Sequence, residues 1–202
     1  MQNALAPVLA LLAAYLLGSV PFAMISSKLF GLADPRTYGS GNPGATNVLR
    51  SGNKKAALFT LIGDALKGAV AIIVARQFGF SDTVIALVAL AVFLGHLYPV
   101  FLKFKGGKGV ATAAGVLLAL DPVLGLAVAA TWLLVAYVSR YSSLAALIAA
   151  VAAPFYAALM HGATNQTIVV GLLGMALIGK HWQNIQRLMA GQETKIGGKK
   201  KA

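Results

Sequence analysis

The chain has 202 residues, of which 58% are hydrophobic and 11% are charged, and its mean hydropathy is +0.78. Because soluble domains carry about 25% charged residues, this composition excludes a soluble globular protein and indicates an integral membrane protein. The sequence contains 17 Lys and Arg against 5 Asp and Glu, a net charge of +12, and no cysteine. In a membrane protein such a cation excess reflects loop topology rather than nucleic-acid binding, and the lack of cysteine excludes disulfides and thiolate chemistry.

Five stretches of the sequence meet or approach the length of about 20 apolar residues that a helix needs to cross a bilayer. In chain order they are Ala4–Ser27, Ala56–Phe78, Thr83–Leu102, Leu144–Met160 and Thr167–Gly179. The first stretch begins without a positive charge and is longer than the apolar region of a signal peptide, so we expect an uncleaved helix there.

Residues 109–139 form a further apolar stretch that is too long for one ordinary span and short for two. Asp121 followed by Pro122 is typical of a helix cap and first turn, so it predicts a new helix. Two helices here give seven spans, whereas one gives six. With seven spans, every Lys and Arg except Lys67 and Arg76 falls on one side of the membrane, and such residues accumulate on the cytoplasmic side.

The sequence therefore predicts an all-α integral membrane protein with seven transmembrane helices, a periplasmic N-terminus and a cytoplasmic C-terminus. Residues 1–202 are expected to form one membrane-embedded domain. The last stretch, from about 190 to 202, is rich in lysine and glycine and is predicted to be a flexible basic tail.

The first polar cluster follows the first span and combines glycines with small polar residues and an arginine. Its candidate binding residues are Ser40, Gly41, Asn42, Thr46, Asn47 and Arg50. Successive backbone N–H groups in glycine-rich turns bind anions, and arginine binds phosphate with two hydrogen bonds. A flexible connector is the plainer interpretation of such a loop, but a connector does not need Asn-Pro-Gly turn chemistry followed by arginine.

The second cluster is the glycine-rich turn Gly106, Gly107, Lys108 and Gly109. A turn of this kind that opens onto a helix offers an anion free N–H donors and the helix dipole. We expect the glycines to permit close approach of the anion and Lys108 to add its charge. A nucleotide-binding P-loop is excluded because Lys108 is followed by Gly109 and not by Ser or Thr.

The third cluster follows the last span, where His181, Asn184 and Arg187 recur every three residues and share roughly one face of a helix. The alternative interpretation is an interfacial helix anchored by Trp182. A fourth, smaller cluster contributes Arg140 and Ser143 between the fifth and sixth predicted helices.

All four clusters fall on the cytoplasmic side of a topology that is inferred without them, so they predict one site for an anionic, phosphorylated small molecule. The 5 acids of the whole chain are too few for the paired carboxylates of a glycosidase or a two-metal centre. Inside the second span, Asp64 and Lys67 lie three residues apart on one helix face. An ionisable pair in a membrane span is a functional candidate, but here we favour a structural ion pair.

At these clusters the sequence resembles the bacterial acyl-phosphate:glycerol-3-phosphate acyltransferases, the PlsY family. The matching stretches cover nearly the whole chain in the family's order: 18–22, 39–47 with Arg50, 64–68, 95–101, 104–112, 140–144, and His181 with Asn184. The resemblance implies seven helices and an active site at the cytoplasmic face of the bacterial inner membrane. It also implies transfer of a fatty acyl group from acyl phosphate to the 1-hydroxyl of glycerol 3-phosphate.

The products of that reaction are lysophosphatidic acid and inorganic phosphate, and the reaction is the first acylation of phospholipid synthesis. The resemblance implies no metal and no cofactor. We expect catalytic roles for His181, Asn184 and Ser40, and substrate or phosphate binding by Ser40, Gly41, Asn42, Thr46, Asn47, Arg50, Gly106, Gly107, Lys108, Gly109, Arg140 and Ser143. Either His181 or, as the family suggests, the donor's own phosphate accepts the proton, and the sequence leaves both open.

Two other functional classes compete with an acyltransferase. A transporter for an organic phosphate would also explain basic loops, but no internal repeat is visible and the polar clusters lie on one side rather than at the midplane. A scaffold that binds anionic lipid through its basic tail explains none of the glycine-rich clusters.

Overall fold

The computed structural model describes residues 5–197, which form helices and their connecting loops. In chain order the helices are α1 (Leu5–Ser19), α2 (Phe22–Leu29), α3 (Ala45–Leu49), α4 (Lys54–Gln77), α5 (Asp82–Leu97), α6 (Val110–Leu120), α7 (Pro122–Ser139), α8 (Ser142–His161), α9 (Asn165–Lys180) and α10 (Trp182–Met189). A short 3₁₀ turn, Val100–Leu102, follows α5.

Five helical segments within residues 5–197 are long and apolar enough to cross a membrane. They are Leu5–Leu29, which joins α1 and α2, and Lys54–Gln77, Asp82–Leu102, Pro122–Ser139 and Ser142–His161. Helices α6 and α9 are also apolar but have only 11 and 16 residues, or about 16 and 24 Å at 1.5 Å per residue. Large apolar side chains such as Leu134 and Leu159 are 65% and 85% exposed on the outer surface, as contact with lipid requires.

The helix boundary predicted at Asp121 and Pro122 is present. Asp121 Oδ1 accepts hydrogen bonds from the backbone N–H groups of Val123 at 2.7 Å and Leu124 at 3.1 Å. Pro122 occupies the first turn of α7, where its missing N–H costs nothing. The stretch 109–139 is therefore two helices, α6 and α7.

The first predicted span differs from the structure because it is interrupted at Val20 and Pro21. Pro21 lacks an N–H group and so cannot continue the hydrogen-bond ladder of α1. The Lys67 ammonium donates to the free Val20 carbonyl at 2.8 Å, and the chain resumes as α2. The third span, predicted to reach Leu102, likewise stops being α-helical at Leu97, just before the Tyr98–Pro99 step.

The helices approach one another at glycines, as expected for membrane helices that pack through small residues. A side chain at Gly115 of α6 would overlap the backbone of Ala65 in α4, and one at Gly95 of α5 would overlap the Tyr15 carbonyl of α1. The core between these helices contains fully buried side chains, among them Ile72, Val92, Phe93 and Val116.

The two ends of the bundle are identified by their contacts. At one end the Arg76 guanidinium donates to the Ala119 and Leu120 carbonyls, and Asn165 donates to Thr83 Oγ1 at 2.8 Å. Four segments meet at the other end, which we call the site end: 30–53, 98–109, 140–143 and 181–197. These four segments carry the four polar clusters of the sequence.

Candidate active site

Asn47 organises the loop of the first cluster. Its buried amide donates to the carbonyls of Pro35 at 2.6 Å and Tyr38 at 3.2 Å, while its Oδ1 accepts from the backbone N–H of Ser40 at 2.9 Å. Arg50 Nη1 also donates to this Oδ1 at 3.4 Å. In this structure the amide is used within the loop, where it shapes the turn that carries Ser40 and Arg50. Substrate binding by Asn47 stays a prediction.

The other candidate residues of this loop differ in their burial and contacts. Gly41 has a positive φ of 68° and donates its N–H to the Tyr38 carbonyl at 3.0 Å, so it forms the turn. Asn42 is half-buried, and the Ser40 side chain is exposed. Thr46 Oγ1 lies 3.3 Å from Ser142 Oγ and thereby joins the loop to the start of α8.

The glycines of the second cluster pack against protein. The Gly107 N–H donates to the His96 carbonyl at 3.1 Å, and a side chain there would overlap the His96 ring. A side chain at Gly106 would overlap the His96 carbonyl, and one at Gly109, whose φ is 88°, would overlap Phe93. The missing side chains thus leave room for His96 and Phe93, and the expectation that these three glycines also admit an anion stays a prediction.

Lys108 is the residue of this turn that reaches the site. Its ammonium donates to Asn184 Oδ1. Burial, together with the charges of Arg187, Arg50 and Lys180, lowers the pKa of Lys108 to about 8, although the charge of Glu193 opposes this shift. A lysine surrounded by three other cations is a strong site for an anion, because a bound phosphate would offset their mutual repulsion.

The third cluster forms the helical turn that was expected from its spacing. His181 lies between α9 and α10 and is buried, and its Nδ1 donates to the Leu177 carbonyl at 2.9 Å. Because a carbonyl only accepts hydrogen bonds, Nδ1 carries the proton of the neutral ring and Nε2 presents its lone pair. Burial lowers the pKa of His181 to about 4, so the ring is neutral near pH 7.

Glu193 is the functional residue that the sequence analysis missed. Its carboxylate accepts hydrogen bonds from Arg187 Nε at 2.7 Å, Asn184 Nδ2 at 2.7 Å and Ser143 Oγ at 3.0 Å. Burial acts to raise the pKa of Glu193, but these hydrogen bonds outweigh it and the pKa is lowered. The signal in the sequence was an acid placed in an otherwise basic tail, in a chain with only 5 acids.

The segment after α10 folds back onto the fourth cluster. Arg140, with a φ of 62°, donates from Nη2 to the Ile196 carbonyl at 3.2 Å, and the Ile196 N–H donates to the Arg140 carbonyl at 2.7 Å. The part of the predicted flexible tail that the structure describes, 190–197, is thus held by hydrogen bonds, and residues 198–202 lie outside the described residues. Arg140 therefore binds this segment in the structure, and its contact with phosphate stays a prediction.

The structure therefore brings together a subset of the predicted residues: Arg50, Lys108, Ser143, His181 and Asn184, joined by Arg187 and Glu193. Ser40 and Thr46 border this group through the first loop, while Asn47, Arg140 and the glycines hold the loops in place. The assembled group offers several cationic donors and one neutral imidazole lone pair around a single fixed carboxylate. This arrangement suits binding of phosphorylated molecules and transfer of a group between them.

Comparison with known proteins agrees with this interpretation. Residues 8–191 match the family model described as glycerol-3-phosphate acyltransferase. A glycerol-3-phosphate acyltransferase of Dechloromonas aromatica (strain RCB) is 81% identical over 96% of this chain and 98% of its own length. One from Cupriavidus taiwanensis is 62% identical over 94% of this chain and 96% of its own length.

Solved structures of PlsY, an integral membrane glycerol 3-phosphate acyltransferase, are also similar. Its glycerol 3-phosphate form has a TM-score of 0.89 and 39% identity over 94% of this chain and 95% of that one. The form described as the lysphosphatidic acid form has a TM-score of 0.87 and 38% identity over the same shares of the two chains. By sequence and by fold, the chain belongs to the glycerol-3-phosphate acyltransferase family, integral membrane enzymes of phospholipid biosynthesis.

Proposed function

We propose that this enzyme transfers a fatty acyl group from acyl phosphate to the 1-hydroxyl of glycerol 3-phosphate, giving lysophosphatidic acid and inorganic phosphate. The observation that carries the proposal is the convergence of Arg50, Lys108 and Arg187 on one site. Both substrates of this reaction carry a phosphate group, and a cluster of cationic donors is the means by which proteins hold phosphate.

The reaction proceeds by attack of the 1-hydroxyl oxygen of glycerol 3-phosphate on the acyl carbonyl carbon. A new ester C–O bond forms, the bond between the acyl carbon and the phosphate oxygen breaks, and inorganic phosphate leaves. Lys108 and Arg50 hold the phosphates and stabilise the negative charge on the leaving group, since preorganised cations contribute most where charge develops. Ser40, on the exposed rim of the first loop, lies beside Arg50 and orients the bound phosphate.

The proton of the attacking hydroxyl goes to the donor's phosphate in this scheme. His181 is a weak base, because burial lowers its pKa to about 4, whereas the donor's phosphate gains negative charge as its bond to the acyl carbon breaks and so accepts the proton more readily. His181 Nε2 instead accepts a hydrogen bond from the neighbouring 2-hydroxyl of glycerol 3-phosphate, so that the 1-hydroxyl faces the acyl carbon. Asn184 positions the Lys108 ammonium through the hydrogen bond at its Oδ1.

We further propose that the chain crosses the bacterial inner membrane seven times, with the N-terminus in the periplasm and the site end in the cytoplasm. The crossings are α1 with α2, and then α4, α5, α6, α7, α8 and α9 in turn. Contacts at the two ends of the bundle support this alternation: Arg76 meets Leu120 at one end, and Lys108 meets Asn184 at the other. The site end also carries nearly all of the cations, as cytoplasmic segments do.

The choice of acyl donor is tested with purified enzyme, glycerol 3-phosphate and either palmitoyl phosphate or palmitoyl-CoA. We expect lysophosphatidic acid and inorganic phosphate to form in equal amounts from palmitoyl phosphate, and no lysophosphatidic acid to form from palmitoyl-CoA. Product formation from the thioester alone would refute the proposed donor while leaving the acyltransferase family assignment intact. Release of phosphate without lysophosphatidic acid would show hydrolysis and contradict the proposed acceptor.

A further inference from the structure

Asp64, Lys67 and His96 form a group of ionisable side chains inside the bundle that the proposed mechanism does not use. They are only 2%, 3% and 7% exposed. Lys67 Nζ lies 2.8 Å from Asp64 Oδ1, and His96 Nδ1 lies 3.4 Å from the same oxygen. The ion pair expected between Asp64 and Lys67 is thus confirmed, and it includes a third member from α5.

Such a group is costly inside a membrane protein. Charged side chains in a span are expensive, and well-packed apolar residues in place of a buried ion pair often give equal or greater stability. Stability of the α4–α5 contact therefore does not by itself account for this group. The contacts of these three residues suggest another role.

Two residues of this group contact backbone segments that lie outside the helices. On one side, the Lys67 ammonium donates to the Val20 carbonyl, which Pro21 leaves outside the helical ladder. On the other side, the His96 carbonyl accepts the Gly107 N–H at 3.1 Å, and the His96 ring fills the space that a Gly107 side chain would occupy. The Gly106–Gly107 backbone thus lies directly against His96.

Lys108 is the next residue along this backbone. A continuous series of contacts therefore leads from Asp64 through His96 and Gly107 to the ammonium that donates to Asn184. Two positive-φ residues, Lys103 and Phe104, turn the chain just before this point. Because this turn has few helical hydrogen bonds of its own, its position depends on what it packs against.

We propose that Asp64, Lys67 and His96 are positioning residues, which hold the Gly106–Gly107 backbone so that the Lys108 ammonium stays at the substrate phosphate. This inference rests on the proposed role of Lys108. On this proposal, the three buried residues affect the rate of acyl transfer by positioning Lys108. They do not affect it by stabilising the fold as a whole.

The first test removes both charges of the ion pair together, in Asp64→Asn with Lys67→Met, so that no unpaired charge is left in the span. We expect the variant to fold, with kcat/KM about 10- to 100-fold lower, because small displacements of a positioned group have effects of this size. Asp121→Asn is the matched control, since Asp121 pairs with His161 at 2.8 Å at the far end of the bundle. We expect this control to lower the melting temperature and to leave kcat/KM unchanged.

The decisive measurement combines these changes with Lys108→Ala in a double-mutant cycle. If the buried group acts through Lys108, adding Asp64→Asn and Lys67→Met to Lys108→Ala causes no further loss in kcat/KM, to within about twofold. Losses that multiply would show independent structural damage and would overturn the inference. Wild-type activity of Lys108→Ala alone would instead refute the proposed function, so the two failures are distinguishable.

His96→Asn gives a second form of the cycle if the charge-removal variant does not fold. The asparagine amide retains a donor near Asp64 but lacks the ring that faces Gly107. The same lack of further loss on a Lys108→Ala background is expected. If neither variant yields folded protein, the group is purely structural and the positioning role is rejected.

Discussion

Asn184 shows how one neutral side chain arranges charges of both signs. Its Oδ1 accepts from the Lys108 ammonium while its Nδ2 donates to the Glu193 carboxylate. The two partners fix the orientation of the amide, because a rotated amide would place oxygen against oxygen and nitrogen against ammonium. Aspartate at this position would attract Lys108 but repel Glu193, so a neutral amide is required.

The lowered pKa of Lys108 predicts a specific pH dependence. Burial and neighbouring cations bring this pKa to about 8, so the ammonium is charged below that pH and loses its proton above it. We expect kcat/KM, which reports the free enzyme, to fall above a pH of about 8. The corresponding decline in kcat should occur at higher pH, since bound phosphate stabilises the charged ammonium.

Lys108→Arg is the control for this profile, because a guanidinium stays charged throughout the accessible range. Whatever activity the variant retains should no longer decline near pH 8. If kcat/KM of Lys108→Arg still declined near pH 8, the titrating group would be a residue other than Lys108.

Gly107→Ala is predicted to act on folding as much as on binding. The added methyl group would overlap the His96 ring, and overpacking of this kind costs about 1–3 kcal/mol of stability. We expect a lower melting temperature together with reduced activity from displacement of Lys108. Gly171→Ala is the control, since the nearest atom to its new methyl group lies 3.9 Å away.

Thermal unfolding of both glycine variants in the same detergent checks this prediction. Gly107→Ala with unchanged melting temperature and weakened affinity for glycerol 3-phosphate would support the original expectation that this glycine admits the anion.

At the scale of elements, the segment after α10 is an integral part of the site. Glu193 binds three side chains of the site, and Ile196 exchanges hydrogen bonds with Arg140. Truncation after Gln192 should therefore lower both melting temperature and activity, because each lost hydrogen bond to a charged group contributes about 1.5–3 kcal/mol.

Truncation after Gly197 is the matched control for this segment. It removes three lysines but none of the contacts described above, so kcat/KM should stay close to the wild-type value. If truncation after Gly197 lowered kcat/KM strongly and truncation after Gln192 lowered it no further, the terminal charges would matter more than Glu193.

Local signals explain which elements could be predicted from the sequence. The start of α7 was predictable because Asp121 and Pro122 act within one turn, and the α10 spacing of His181, Asn184 and Arg187 was predictable for the same reason. The break at Pro21 was missed because the apolar composition continues through it. Glu193 was missed because its three partners lie on α8 and α10, and only the fold shows that they meet.

At the scale of the whole molecule, the two ends of the bundle differ in charge and chemistry. At one end, Arg76 and the Asp121–His161 pair join neighbouring helices, whereas the site end carries most of the cations and the glycine-rich turns. This asymmetry predicts the orientation. A cytoplasm-dependent reporter fused at Ala202 should be active, and a periplasm-dependent reporter at the same position should be inactive.

The reverse reporter pattern would contradict both the seven-span topology and the cytoplasmic site. A second fusion in the Gly162–Thr164 turn, at the opposite end, provides the internal control because it should show the opposite pattern.

The central claim is that cations from segments distant in the sequence form one phosphate site. The most direct test is the dissociation constant of glycerol 3-phosphate for wild type, Arg50→Ala and Lys108→Ala, with Lys54→Ala as a control cation at the start of α4. The account predicts about 10- to 150-fold weaker binding for the first two variants, the equivalent of a charged hydrogen bond of about 1.5–3 kcal/mol, and no change for Lys54→Ala. Equal, small losses in all three variants would mean that the cations act only as diffuse charge at the membrane surface, and would contradict a shared site.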